Sequence, residues 1–184
     1  TSVLNALDLA GIPLRSKDRT EEDPIILGGA GMANCCEPVA PFFDMFLLGQ
    51  AEEAVVELSN FLIENKNLTR KEILKSAAQK FPYIYVPSLY ENSFPKIKDA
   101  VVEDLDNSIV PEKPIVPFTQ AIHERISIEV MRGCPGRCSF CQASFCRRPV
   151  RFRKPQRILE IAKKAYATTG FDTIGLLSLS TADY

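Results

Sequence analysis

Three of the chain's six cysteines fall in one short run, Cys134-Pro135-Gly136-Arg137-Cys138-Ser139-Phe140-Cys141, with three residues between the first pair and two between the second. Thiolates are soft ligands, and three this close can wrap one metal centre only if the backbone turns tightly. Gly133, Pro135 and Gly136 supply that turn. Two centres suit the donor set. A cubane [4Fe-4S] cluster held by three cysteines keeps one iron without a protein ligand, and that open iron is a place for chemistry. A structural zinc would instead need a fourth donor, for which Cys146 and His123 are the candidates. The adjacent pair Cys35 and Cys36 reads as small buried apolar residues. Neither placement looks like a disulfide framework, and no apolar leader segment opens the chain, so a reducing, cytoplasmic setting is expected.

The elements around the run are those of a parallel α/β unit. Residues 125–130 alternate apolar and polar side chains with period two and lead straight into the cysteines. Pro155 stands at a helix start, and Ile158, Leu159, Ile161, Ala162 and Ala165 line one face up to a stop at Gly170. Residues 173–179 read as a second buried strand, which completes a βαβ unit. Between cysteines and helix, residues 147–157 carry arginines and lysine with no carboxylate. That stretch either holds an anion, such as a small-molecule carboxylate or an RNA backbone, or pairs with acids elsewhere in the chain.

Upstream, residues 4–10 give a short helix closed by Gly11, and residues 16–23 form a polar loop. Residues 24–29 read as a strand breaking at Gly28 and Gly29, the place where an α/β sheet meets a ligand, and residues 46–49 repeat the device. A helix over residues 51–64 should bury Val55, Leu58, Phe61 and Leu62. A second helix over residues 69–79 starts with Thr69 as N-cap and Glu72 as its capping-box partner. Prolines then punctuate residues 81–119, which read as a connector, with a hairpin or edge strand expected over residues 96–106.

The cysteine run resembles the signature of the radical S-adenosylmethionine superfamily, in which an aromatic residue precedes the third cysteine as Phe140 does here. The longer resemblance, carried by residues 24–29, 49–53 and Arg132-Gly133-Cys134, is to members with an N-terminal cobalamin-binding-like domain. This resemblance implies an α/β fold. Part of a Rossmann-like, cobalamin-binding-like domain (residues 1–80) is followed by a proline-rich linker (81–119) and the start of a radical S-adenosylmethionine (β/α) partial TIM barrel (120–184). It implies that Cys134, Cys138 and Cys141 bind a [4Fe-4S] cluster, and that S-adenosylmethionine sits on the open iron with Phe140 near its adenine. Ser178 and Ser180 stand where the family's Gly-Gly-Glu-like segment binds the methionine amino group, and Gly28 and Gly29 border a cofactor in the first domain. The implied chemistry is reductive cleavage to a 5′-deoxyadenosyl radical for hydrogen abstraction, with methyl or sulfur transfer as one outcome. Implied partners are a flavodoxin- or ferredoxin-like electron donor and a substrate that includes RNA among its options. The chain has no Asp-x-His-x-x-Gly motif and carries Gln50 where the group usually has glutamate, so any cobalamin would be bound base-off.

Composition narrows the alternatives. Lysine and arginine total 22 against 23 acidic residues, so no global basicity points to nucleic acid or an anionic membrane. The apolar run over residues 41–49 is broken by Asp44 and is far shorter than the ~20 residues of a membrane span. The chain begins at Thr1 without methionine and stops just past a strand-like run, so a piece of a longer enzyme, incompetent alone, is expected. The competing reading is a zinc-stabilised nucleic-acid or protein binding module without catalysis.

Overall fold

The computed structural model describes residues 2–31, 33–90, 93, 95–119 and 122–184, with the side chain of residue 144 outside the description. The chain is α/β and divides into two compact units, Thr1–Val102 and Glu103–Tyr184. The boundary expected at residue 120 falls outside the described residues.

The first unit opens with α1 (Ser2–Leu9) and continues through a loop into β1 (Leu27–Gly28) and β2 (Met45–Leu47). Helices α2 (Ala54–Glu64) and α3 (Arg70–Lys80) follow, and β3 (Ile84–Tyr85) completes a sheet of order β1-β2-β3. β1 and β2 run parallel, while β3 is antiparallel to β2, an arrangement common at the edge of doubly wound sheets. β2 is apolar at every position because both of its faces are covered. Met45 and Leu47 pack with Leu58 and Phe61 of α2 and with Ile73, Leu74 and Ala77 of α3. Phe46 faces the other way, against Cys36, Ala40 and Tyr85. The buried stripe of α2 is Ala54, Leu58 and Phe61, one residue round from the expected face, so Val55 is exposed. Cys36 is buried, and burial pushes its thiol above the usual range, whereas Cys35 is exposed because the 3-10 turn at Ala33–Cys35 presents neighbouring residues to different sides.

Residues 81–86 and Ala100 pack with this core rather than forming a free connector. Phe81, Ile84, Val86 and Ala100 are buried in it, and Phe81 meets Phe61 edge-on with ring centroids 5.4 Å apart. In place of a hairpin over residues 96–106, Ala100 makes one parallel bridge to Gly49. Gly49 has φ +95°, and a Cβ there would lie 2.3 Å from the Ala100 carbonyl oxygen, so glycine is what allows the two backbones to meet.

The capping box forms as read: the Thr69 hydroxyl accepts from the Glu72 amide, and the Glu72 carboxylate accepts from the Thr69 amide at 2.9 Å. The Thr69 hydroxyl also donates to the Glu72 carboxylate at 2.7 Å, and this bond, with that from the Thr69 amide, holds the Glu72 carboxyl below its ordinary value of 4.5. The stabilisation is therefore fully present above 4.5 and is lost as pH falls through the lower folded value. Thr69→Ala is expected to cost about 1 kcal/mol in urea unfolding at neutral pH. The gap between the unmodified chain and Glu72→Gln should close in acid; a gap that persists below the folded value would show that the carboxylate charge plays no part.

In the second unit, β4 (Ile126–Glu129) leads into β5 (Met131–Arg132), α4 (Ala143–Cys146), β6 (Arg151–Phe152), α5 (Pro155–Thr169) and β7 (Ile174–Leu177). β4 and β7 pair in parallel, Ile126 with Ile174 through Glu129 with Leu177, and α5 is the crossover between them. Ile161, Ala162 and Ala165 of α5 cover Ile126 and Ile128. β7 departs from the buried strand expected. Ile174, Leu176 and Leu177 are exposed, since β4 is the only strand paired with it among the described residues. Arg153 is fully buried: its Nε donates to the Glu129 carbonyl at 3.0 Å, Nη1 to the carbonyl of Leu105, and Nη2 to the Ser108 hydroxyl at 3.3 Å. Residues 105–108 are thereby fastened to the strand end. No helix among the described residues is long and apolar enough to cross a membrane.

Candidate functional site

The cysteine run occupies an excursion, residues 133–150, that leaves β5 and returns through β6. The neck of the excursion is an antiparallel ladder in which Met131 pairs with Phe152 and Arg132 with Arg151. Just inside it the Cys134 amide donates to the Arg147 carbonyl at 3.3 Å. Gly133 has φ +91°, and a Cβ there would stand 2.7 Å from the Arg147 carbonyl oxygen and 2.8 Å from that of Pro149. No other residue type fits where the two arms converge.

Inside the loop the Sγ atoms of Cys134 and Cys138 both lie beside Gly136, 3.4 and 3.6 Å from the position a Cβ would take there, which is ordinary van der Waals contact. The Cys141 amide donates to the Cys138 carbonyl at 3.1 Å, a turn that brings the third cysteine back along the loop. None of the six cysteines forms a disulfide. Among the described residues no three His, Cys, Asp or Glu side chains meet around a point that could hold one metal ion. The four-donor cage of a structural zinc is thus not gathered, and His123 is exposed. A cubane asks less of the loop, since its irons occupy separate corners and each takes its own thiolate. Three thiols within eight residues are the donor type such a group takes.

Phe140 lies in the turn before Cys141 with its ring 90% exposed. Ser178 and Ser180 follow β7, which runs parallel to β4, so they leave the same edge of the strand pair as the chain that enters the cysteine loop. Both hydroxyls are engaged locally: Ser178 Oγ is 2.9 Å from Thr181 Oγ1 and accepts from the Ser180 amide, and Ser180 Oγ donates to Asp183 at 2.6 Å. Gly28 and Gly29 belong to the first unit. The place a Cβ would take on Gly28 is filled by the Phe46 ring, 2.4 Å away, so sheet packing accounts for this glycine. The first unit supplies no lower axial histidine for cobalamin. The chain's one histidine, His123, lies in the second unit.

The basic stretch, residues 147–157, is largely spoken for. Arg157 pairs with Glu112 at 2.9 Å and Glu160 at 3.2 Å, and its Nε donates to the Asp106 carbonyl, while Arg153 is buried as described. Lys164 joins Glu112 at 2.8 Å, and these hydrogen bonds, led by that of Lys164, hold the Glu112 carboxyl below the usual range. Arg148 Nη2 reaches the Gly136 carbonyl at 3.5 Å, so one arginine of the stretch leans on the cysteine loop.

A cavity in the first unit was not legible in the sequence. Arg15 and Lys17 sit in what reads as a plain polar loop, and Arg70 and Lys71 in a helix whose cap drew attention instead. The signal was present. Two cations at N1 and N2 of a helix oppose its macrodipole, a placement that local stability alone does not favour.

Residues 1–87 match the family described as radical SAM proteins, N-terminal. An uncharacterized protein of Methanocaldococcus jannaschii is 24% identical over 173 residues, which is 91% of this chain and 35% of that protein. The anaerobic magnesium-protoporphyrin IX monomethyl ester cyclase of Cereibacter sphaeroides is 28% identical over 131 residues, 68% of this chain and 20% of that protein. The chain thus spans about a third of the length of one relative and a fifth of the other. No solved structure matches. The first 87 residues are similar to the N-terminal region of radical SAM proteins, and together with the cyclase match they support that superfamily.

Proposed function

We propose that this chain contributes the cluster-binding segment of a radical S-adenosylmethionine enzyme, with Cys134, Cys138 and Cys141 as the thiolate ligands. The observation that carries the reading is the loop itself. It is closed by the β5–β6 ladder at the end of a parallel strand, and it carries all three cysteines, two of them beside Gly136. A [4Fe-4S] cluster with S-adenosylmethionine on its open iron supplies one-electron cleavage of the sulfonium to a 5′-deoxyadenosyl radical, with the electron drawn from a flavodoxin- or ferredoxin-like donor. The protein's own task is positional. The neck would fix where the thiolates stand, and Phe140 offers an exposed ring on which an adenine can stack. Ser178 and Ser180, at the matching end of β7, would take the polar end of the methionine.

Anaerobic reconstitution with iron and sulfide tests this. The expected product is brown, absorbs near ~400 nm, and loses that band in Cys134→Ala, Cys138→Ala and Cys141→Ala but not in Cys146→Ala. A colourless protein that holds one zinc per chain would overturn the proposal in favour of a structural site.

A further inference from the structure

The first unit contains a cavity of about 650 Å³, within the range of small-molecule sites. Four cations line it: Arg15 and Lys17 from the loop before β1, and Arg70 and Lys71 from the first turn of α3. Three acids line it as well, but each is already committed. Asp44 Oδ2 accepts from Arg19 Nη1 at 2.9 Å and from the Ile26 amide at 2.6 Å. Glu21 accepts from the Arg70 amide at 2.7 Å, and Glu37 from the Tyr85 hydroxyl at 2.6 Å. By contrast, Arg15, Lys17 and Lys71 have exposed side chains with no acidic partner among the described residues. Arg70 stands between the two groups. Its Nη1 is ion-paired with Asp44 Oδ1 at 3.1 Å and closed off from solvent. The wall opposite is apolar, with Ala40, Pro41, Leu74 and Leu89.

We infer that this cavity binds an organic anion with an apolar body. Its charged group is held by Arg15, Lys17 and Lys71, and its body lies on the Leu74 and Leu89 side. At the start of α3 the Arg70 amide already meets the Glu21 carboxylate and the Arg70 guanidinium the Asp44 carboxylate, so Lys71 is the cation there left for a ligand. Three exposed cations beside an apolar wall are what an anion with an apolar body fits.

Two dyes of similar size separate charge from apolarity. Anilinonaphthalene sulfonate, an apolar body with one anion, is expected to bind the purified chain saturably at one site. The uncharged phenylnaphthylamine should bind at least tenfold more weakly. Arg15→Glu combined with Lys71→Glu, both exposed, should weaken the sulfonate dye at least tenfold without affecting the neutral one, with thermal unfolding no earlier than in the unmodified chain because an acid in the first turn of α3 suits the helix dipole. Equal affinity for the two dyes, sulfonate binding that survives the charge reversal, or no saturable binding at all would each overturn the assignment. None of these outcomes depends on the cysteine loop.

Discussion

Asp44→Ala is expected to destabilise the first unit by about 3–5 kcal/mol, close to the whole stability of many domains. The carboxylate is buried with side-chain exposure of 2%, against Arg19 at 0% and Arg70 at 11%. Removing it leaves two guanidinium groups without their anion and the Ile26 amide without its acceptor. Arg19 cannot swing into water in compensation. Its Nε holds the Pro13 carbonyl and its Nη2 the carbonyls of Leu14 and Phe42, so an outward rotation would break those bonds as well. Asp44→Asn keeps an acceptor for Ile26 while losing the charge, and should fall between the two. Urea unfolding followed by circular dichroism measures the series; a loss under about 1 kcal/mol for the alanine variant would mean that the ion triad contributes specificity rather than stability.

The second large effect falls on the cysteine loop. Gly133→Ala should cost at least about 1–3 kcal/mol from positive φ alone. More is added by overlap, since the atoms a Cβ would meet are backbone: Arg147 O at 2.7 Å, Pro149 O at 2.8 Å and Val150 Cα at 3.0 Å. Backbone cannot rotate aside like a side-chain tip. The β5–β6 ladder must therefore splay, and the Cys134 amide lose its carbonyl on Arg147. The expected result is faster hydrogen exchange at the Cys134 and Arg151 amides, together with a reduced ~400 nm band per chain after reconstitution. Exchange and iron content equal to those of the unmodified chain would show that the loop holds its shape without the neck.

What could be read in advance was local. The Thr69–Glu72 box, the helix from Pro155 to its stop at Gly170, and the strand at residues 126–129 are each specified by residues within a few positions of one another. What could not be read depends on distant partners. The prolines of residues 81–119 correctly exclude a central strand, yet Ala100 is fixed by Gly49, and Leu105 and Ser108 by Arg153, which lies 48 and 45 residues further along the chain. Charge alone marked residues 147–157 as a candidate anion site, but Arg157 had to be seen beside Glu112 and Arg153 inside the core. Asp44 gave a clue of the opposite kind. An acid that interrupts an apolar run is either on the surface or paired, and only the fold tells which.

The ladder at the neck also bears on how tightly the loop would hold a metal. Gathering the ends of a free segment of about 18 residues costs on the order of 2–3 kcal/mol in chain entropy. In this fold the pairing of Met131 with Phe152 and Arg132 with Arg151 does that gathering before any metal arrives. On the proposed reading, the three cysteines would start from a closed loop rather than a free segment. Loss of one sulfur from the metal would leave it within reach for recapture, so dissociation should be set by opening of the ladder rather than by rupture of any single metal–sulfur bond.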